Sequence, residues 1–175
     1  MAVRIEKPAF NFRDKLNENS QKTVGYDNLP PGTVIQHRYN TASSGGHLTT
    51  SSNSWTALGF TVEIVPRYAG SLMLIEYTGL AQQPNTHHSL SCATIYRDGT
   101  TNLGYADFGL NAVGDVNSNG GVYVTTPINF FVYDIAAVVG VRISYGLYGK
   151  THNSGTAYPV HGGVRRTLSV KEIKQ

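Results

Sequence analysis

Charge is scarce in this sequence. Only 14% of its residues are charged, against roughly 25% in an average soluble chain, and that excludes a coiled coil with its charge-laced helices. Cys92 is the single cysteine, so neither an intrachain disulfide nor a cysteine-built zinc site can form; a reducing site of synthesis fits. The longest apolar run, around Ile135 to Gly140, falls far short of the roughly 18 residues a spanning helix needs. Arg4, Glu6 and Lys7 interrupt the opening stretch, so no signal peptide is expected there. What is abundant is glycine, at 19 residues, and tyrosine, at 11 against six phenylalanines. That balance describes a β-rich globule with many turns. The 175 residues and 19.0 kDa suit one domain, or one domain with an appendage.

Net charge is mild, +3 with a pI near 9.0, but it is unevenly placed. From Arg142 onward six basic residues (Arg142, Lys150, Arg165, Arg166, Lys171, Lys174) face one acid, Glu172. Arg165-Arg166 is the sole adjacent pair among them, and no dense basic stripe interleaved with aromatics appears. Nucleic-acid binding is therefore not expected. Solvated charge, or contact with an acidic protein surface, is the preferred reading.

Composition divides the chain in two. Residues 1–28 hold nine charged residues, and the stiff turn Leu29-Pro30-Pro31-Gly32 follows. The division predicts an N-terminal arm over 1–28 and a main domain over 29–175. Within the arm, Asn11 with Asp14 three residues later has the pattern of a helix N-cap and first-turn acid. Phe12 and Leu16 then share one face of a helix running about Phe12 to Asn19, too short to persist alone in water. Phe10, Phe12 and Leu16 need a surface to bury against, either the main domain or another protein.

The main part reads as strands. Phe60, Val62 and Ile64 alternate with Thr61 and Glu63, a period of two over one half-buried face. Further strands are predicted at Val34–Tyr39, Leu72–Tyr77, Leu90–Arg97, Val122–Thr126, Ile128–Asp134, Val138–Tyr145 and Thr167–Ile173. Turn residues separate them, the sharpest being Arg97-Asp98-Gly99-Thr100. Gly149 to Gly155 reads as a turn, and Asn40 to Ser54 as a long polar exposed loop. No helical period appears after residue 28. The fold class expected is all-β, an antiparallel jelly-roll sandwich.

Few residues suggest chemistry. Asp115-Val116-Asn117-Ser118-Asn119-Gly120 fits the first half of a calcium loop, but Thr126 stands where a bidentate Glu belongs, and a polar hairpin turn explains the same letters. Asp107-Phe108-Gly109 matches a kinase magnesium motif in three letters only. His87 and His88 would point to opposite faces of a regular strand; one histidine repeated around a threefold axis could hold a metal, though surface or interface histidines are the simpler reading. Cys92 sits in an apolar strand run as a small buried residue. No nucleophile elbow or assignable acid–base pair is present. No catalytic residue, cofactor or metal is expected, and the chain is not read as an enzyme.

The opening Arg4-Ile5-Glu6-Lys7-Pro8-Ala9-Phe10-Asn11-Phe12-Arg13-Asp14-Lys15-Leu16-Asn17-Glu18 resembles the N-terminal segment of virion proteins of marine and freshwater tailed phages. In those a β domain follows that starts with a Pro-Gly-hydrophobic-Gln pattern, here Pro31-Gly32-Thr33-Val34-Ile35-Gln36. Beyond Gln36 the likeness is one of pattern. Ile95-Tyr96-Arg97-Asp98-Gly99 and the closing Leu168 to Ile173 are similar in outline to trimeric jelly rolls of the tumour-necrosis-factor and complement type. After the arm's helix the sequence departs from the pattern with Asn19-Ser20-Gln21-Lys22.

The resemblance implies a non-enzymatic virion protein, a homotrimer made in the host cytoplasm, with no membrane partner. As a capsid decoration or cement protein it would bind the major capsid protein, or another virion protein, through the arm. As a short tail or head fibre its β domain would meet the host. The absence of a long fibrous repeat favours decoration. Phe10, Phe12 and Leu16 would be the apolar anchors, and Arg4, Lys7 and Arg13 would meet an acidic capsid surface. A carbohydrate-binding module stays open beside these, since Tyr105, Tyr123, Tyr145, Tyr148 and Tyr158 could stack on sugar rings, although tyrosine is equally an ordinary half-buried strand residue.

Overall fold

The computed structural model describes residues 28–43, 45–82, 89–115, 125–135, 138–153 and 155–175. Two antiparallel sheets pack face to face. The first holds β1 (Val34–Ala42), β2 (Leu48–Thr50), β4 (Leu72–Gln82), β8 (Thr125–Ile135), β10 (Ala157–Val160) and β11 (Arg166–Ile173). The second holds β3 (Thr56–Ile64), β5 (Ser89–Arg97), β6 (Thr101–Asn102), β7 (Asn111–Asp115) and β9 (Ile143–His152). The long strands of the first sheet lie in the order β1-β11-β4-β8, and short β10 meets the far end of β4 and pairs with β2. In the second the order is β3-β9-β5, with β6 and β7 both pairing β5. Among the described residues no helix is long and apolar enough to cross a membrane.

Side-chain alternation builds the core. Leu58, Phe60, Val62 and Ile64 of β3 turn inward while Thr61 and Glu63 face out, as their period of two predicts. They meet Met73, Ile75 and Tyr77 of β4, Ile95 of β5, Tyr145 and Leu147 of β9, and Leu168 and Val170 of β11, in one cluster between the sheets. Each such side chain contributes roughly 1.5–3 kcal/mol by leaving water. The Asp98-Gly99 turn is the expected hairpin: both residues take positive φ, +50° and +71°, as a turn matching the strand twist requires.

Several expectations are corrected. The strand expected at Val138–Tyr145 begins only at Ile143, because the chain here must cross from one sheet to the other, and Gly140 N–H instead bonds to Pro66 O at 2.9 Å. Gly149 is no turn residue but lies inside β9. A Cβ there would come within 2.6 Å of Pro159 Cγ, so glycine permits a close approach rather than a bend. The stretch Asn40–Ser54 is not one loop, since β1 continues to Ala42 and Leu48–Thr50 forms β2 against β10. β8 runs unbroken through Pro127, a residue tolerated where a strand pairs on one side only. Residues 122–124 of the strand expected at Val122–Thr126 lie outside the described residues.

Val34, Ile173, Leu72 and Ile135 form one row across the first sheet. The connections 65–71 and 138–142 both lie between the sheets at this end. Glu172 closes the interior there. Its carboxylate is fully buried and accepts hydrogen bonds from Arg67 N–H at 2.8 Å, Tyr68 N–H at 2.9 Å, Ser71 Oγ at 2.9 Å and Gln36 Nε2 at 2.6 Å. Arg166, six residues earlier on the same inward side of β11, closes the opposite end over the Phe60 ring.

Candidate interaction surfaces

The chain enters the β domain beside its last strand: Gly32 N–H donates to Lys174 O at 2.8 Å and Lys174 N–H to Thr33 O at 2.9 Å. The segment before residue 28 therefore joins at the Glu172 end. The expected anchors Arg4, Lys7, Phe10, Phe12, Arg13 and Leu16 lie outside the described residues. Near this entry, Arg38, Arg67, Arg142, Glu63 and Gln36 line a groove of about 290 Å³. Arg142 reaches Glu63 at 3.3 Å, both well exposed, which contributes little to stability. Three guanidinium groups face the Glu63 carboxylate across the groove, with the buried Glu172 carboxylate behind Gln36. Arg38, Arg67 and Arg142 come from separate stretches of chain, so no local basic run signals their convergence.

Asp134 links the two sheets. Its carboxylate meets Arg97 at 2.7 Å, accepts the Tyr145 hydroxyl at 3.0 Å and accepts Ile135 N–H at 3.0 Å. Burial, and then the Asp134 charge, hold the Tyr145 phenol above its ordinary pKa. Tyr145 is fully buried and cannot stack on a sugar, which removes it from the expected set.

Other tyrosines do reach the surface. Residues 103–110 lie along the edge of β5 between the pairings of β6 and β7, where Leu103 N–H donates to Ile95 O and Leu110 N–H to Ala93 O, both at 2.9 Å. Trp55 Nε1–H donates to Ala106 O at 2.9 Å, and Lys150 Nζ sits 4.9 Å from the Trp55 ring centre. Tyr105 stacks near Phe108, which packs on His152 at 5.1 Å. Tyr105 is 63% exposed and Phe108 40%. Tyr148 stacks on Tyr96 at 4.2 Å, and Tyr158 lies edge-on to His47 at 5.5 Å. Tyr123 lies outside the described residues. Trp55, Phe108 and Lys150 were missed as companions of Tyr105; the signal available was the chain's one tryptophan and two aromatics between Gly104 and Gly109.

The histidines separate. His37 is exposed beside Tyr39, while His47 and His161 meet with ring centres 4.5 Å apart. His47 Nδ1 accepts Gly162 N–H at 3.1 Å, and burial, with the neighbouring His161, lowers its pKa. His87, His88 and the calcium-like stretch after Asp115 lie outside the described residues. Among those described, no three His, Cys, Asp or Glu residues are grouped to hold a metal. Cys92 is fully buried and its thiol is pushed up to about 11, a small packed residue as expected.

No protein-family model matches this chain, and no curated protein does. Among solved structures it is similar to the infectious bursal disease virus VP2 subviral particle, at 18% identity and a TM-score of 0.38, over 81% of this chain and 42% of that one. It is also similar to T=1 particles derived from infectious bursal virus, at 16% identity and a TM-score of 0.29, over 82% of this chain and 37% of that one. The chain thus spans about two fifths of the length of these proteins.

Proposed function

We propose that this chain is a non-enzymatic phage virion protein, a homotrimeric decoration or cement protein whose residues 1–28 anchor a jelly-roll domain to the capsid. The strand order carries the reading. With β1-β11-β4-β8 facing β3-β9-β5-β7, the long strands alternate between sheets at nearly every step along the chain. That order supports two interleaved Greek keys, an architecture frequent in viral capsid and lectin domains. The functional step is by analogy of fold, joined to the arm's sequence resemblance. Polarity adds to it: the point where the chain enters the domain and the arginine groove share one end, and the Tyr105–Phe108 loop sits toward the other. An arm laid on an acidic shell would bring the groove close to it and leave the aromatic loop facing outward. Three arms on one trimer bind with avidity, because the second and third are tethered near their sites.

Cryo-electron microscopy of the intact virion tests this. Density over the capsid at quasi-threefold positions, with the arm along the shell, is the expected result; density only at the tail or a vertex overturns it. The second reading, a short tail or head fibre with a glycan-binding domain, is favoured by the exposed Tyr105 and Phe108 beside Trp55 and Lys150. Glycan-array binding that is lost in Tyr105→Ala would select that reading.

A further inference from the structure

The outward face of the first sheet carries a continuous apolar strip, along the row at the Glu172 end and down β8, where a water-facing sheet surface would be polar. Strand register places Val34, Ile173, Leu72 and Ile135 in one row, and His37, Lys171, Leu74 and Tyr133 in the next. Tyr39, Ser169, Glu76 and Phe131 form the third. Of these, Val34 is 49% exposed, Tyr39 65%, Phe131 60%, Tyr133 54% and Ile135 65%. Val138, Val139 and Val141, in the stretch between β8 and β9, are exposed as well. Antiparallel sheets that face water normally alternate apolar-in, polar-out; β8 instead carries Ile128, Phe130 and Val132 inward and Phe131, Tyr133 and Ile135 outward.

We propose that this face is where copies of the chain meet. Area supports that occupant. Aromatic side chains bury on the order of 150–250 Å² each, so the contiguous Val34, Phe131, Tyr133 and Ile135 leave roughly 400 Å² uncovered, with Tyr39 apart on the same face. That is near the upper limit for a patch on a monomer, and with half-buried Leu72, Leu74 and Ile173 it approaches the roughly 800 Å² per partner of a stable complex. Charge supports it too. Lys171 and Glu76, the charged residues of these three rows, are paired to each other at 2.6 Å, so the face is neutral and does not repel its own copy. A partner of strong charge would find nothing complementary there. The contact runs through the face rather than the edge of β8: Pro127 has no N–H to donate, and Ile135 N–H is occupied by the Asp134 carboxylate.

The inference rests on the self-association in the proposed function and adds the surface responsible. Sedimentation velocity on the full chain and on Phe131→Glu/Tyr133→Glu tests both. The expected result is an assembled wild type, and a double variant weakened at least about 100-fold in association with an unchanged circular dichroism spectrum. Should the double variant not fold, Tyr39→Lys, on another strand of the same face, is expected to dissociate the chain likewise. Folded variants that stay assembled overturn this inference and leave self-association through another surface. A wild type that is monomeric at about 100 µM overturns both, and gives the face to a different protein.

Discussion

Glu172 is the residue whose surroundings are most demanding. A fully buried carboxylate is tolerable when hydrogen bonds replace its water, and here two backbone N–H groups, a hydroxyl and an amide do so. Glu172→Ala leaves those donors unpaired and is expected to cost about 3–5 kcal/mol in urea unfolding, with Glu172→Gln costing clearly less. Tyr77 is the opposite case. Its hydroxyl is buried with no hydrogen-bond partner, and burial pushes the phenol up to about 12. Tyr77→Phe is therefore expected to be neutral, or to stabilise by up to about 1 kcal/mol. A loss of more than that would mean a water bridges the hydroxyl to the equally unpartnered Arg166 Nε. In the sequence, Glu172 looked like an ordinary solvated acid among basic neighbours. Its place on the inward side of the central strand β11 was readable from the period of two, but the loop that caps it was not.

Between elements, the contact of His47 with His161 joins the stretch before β2 to the stretch after β10. Since His47 Nδ1 accepts Gly162 N–H, the folded state favours the neutral ring, and its pKa lies below 6.5. The folded state thus binds fewer protons than the unfolded one, so this contact contributes fully above pH 6.5 and its contribution falls as pH drops below that value. Melting followed from about pH 7.5 to about 5.5 should decline more in the wild type than in His47→Gln; equal slopes would refute the coupling. β2 and β10 escaped the sequence reading because three and four residues carry no period long enough to see. The expected strand at Val138–Tyr145 failed for a related reason. Its β-branched residues favour extended backbone, but a sheet-to-sheet crossing was needed there, and that depends on where β8 and β9 sit.

At the scale of the molecule, the proposed arm would separate anchoring from folding, because the chain enters the two-sheet domain at one end. Phe10→Ala/Phe12→Ala is expected to weaken attachment to the virion at least about 10-fold, as loss of two apolar anchors should. The melting temperature of the free protein should stay the same. A lowered melting temperature would place both rings against the domain's own surface instead. The same separation makes the apolar outer face and the arm independently testable: changes in β8 should alter assembly between copies, and changes in the arm should alter attachment.

Alternation of apolar and polar residues, with the turn residues between, determined from the chain alone that the main part is built of β-strands, which side of β3 faces the core, and where the Asp98-Gly99 hairpin turns. These are local properties, set by side-chain periodicity and by the φ angles a residue accepts. Only tertiary structure decided which strands neighbour one another, and with that the burial of Tyr145, the pocket of donors around Glu172, the arginine groove, and the outward apolar rows of β1, β11, β4 and β8. Each depends on residues far apart in sequence brought together by register, and one strand's pattern cannot say which partner it will pair with.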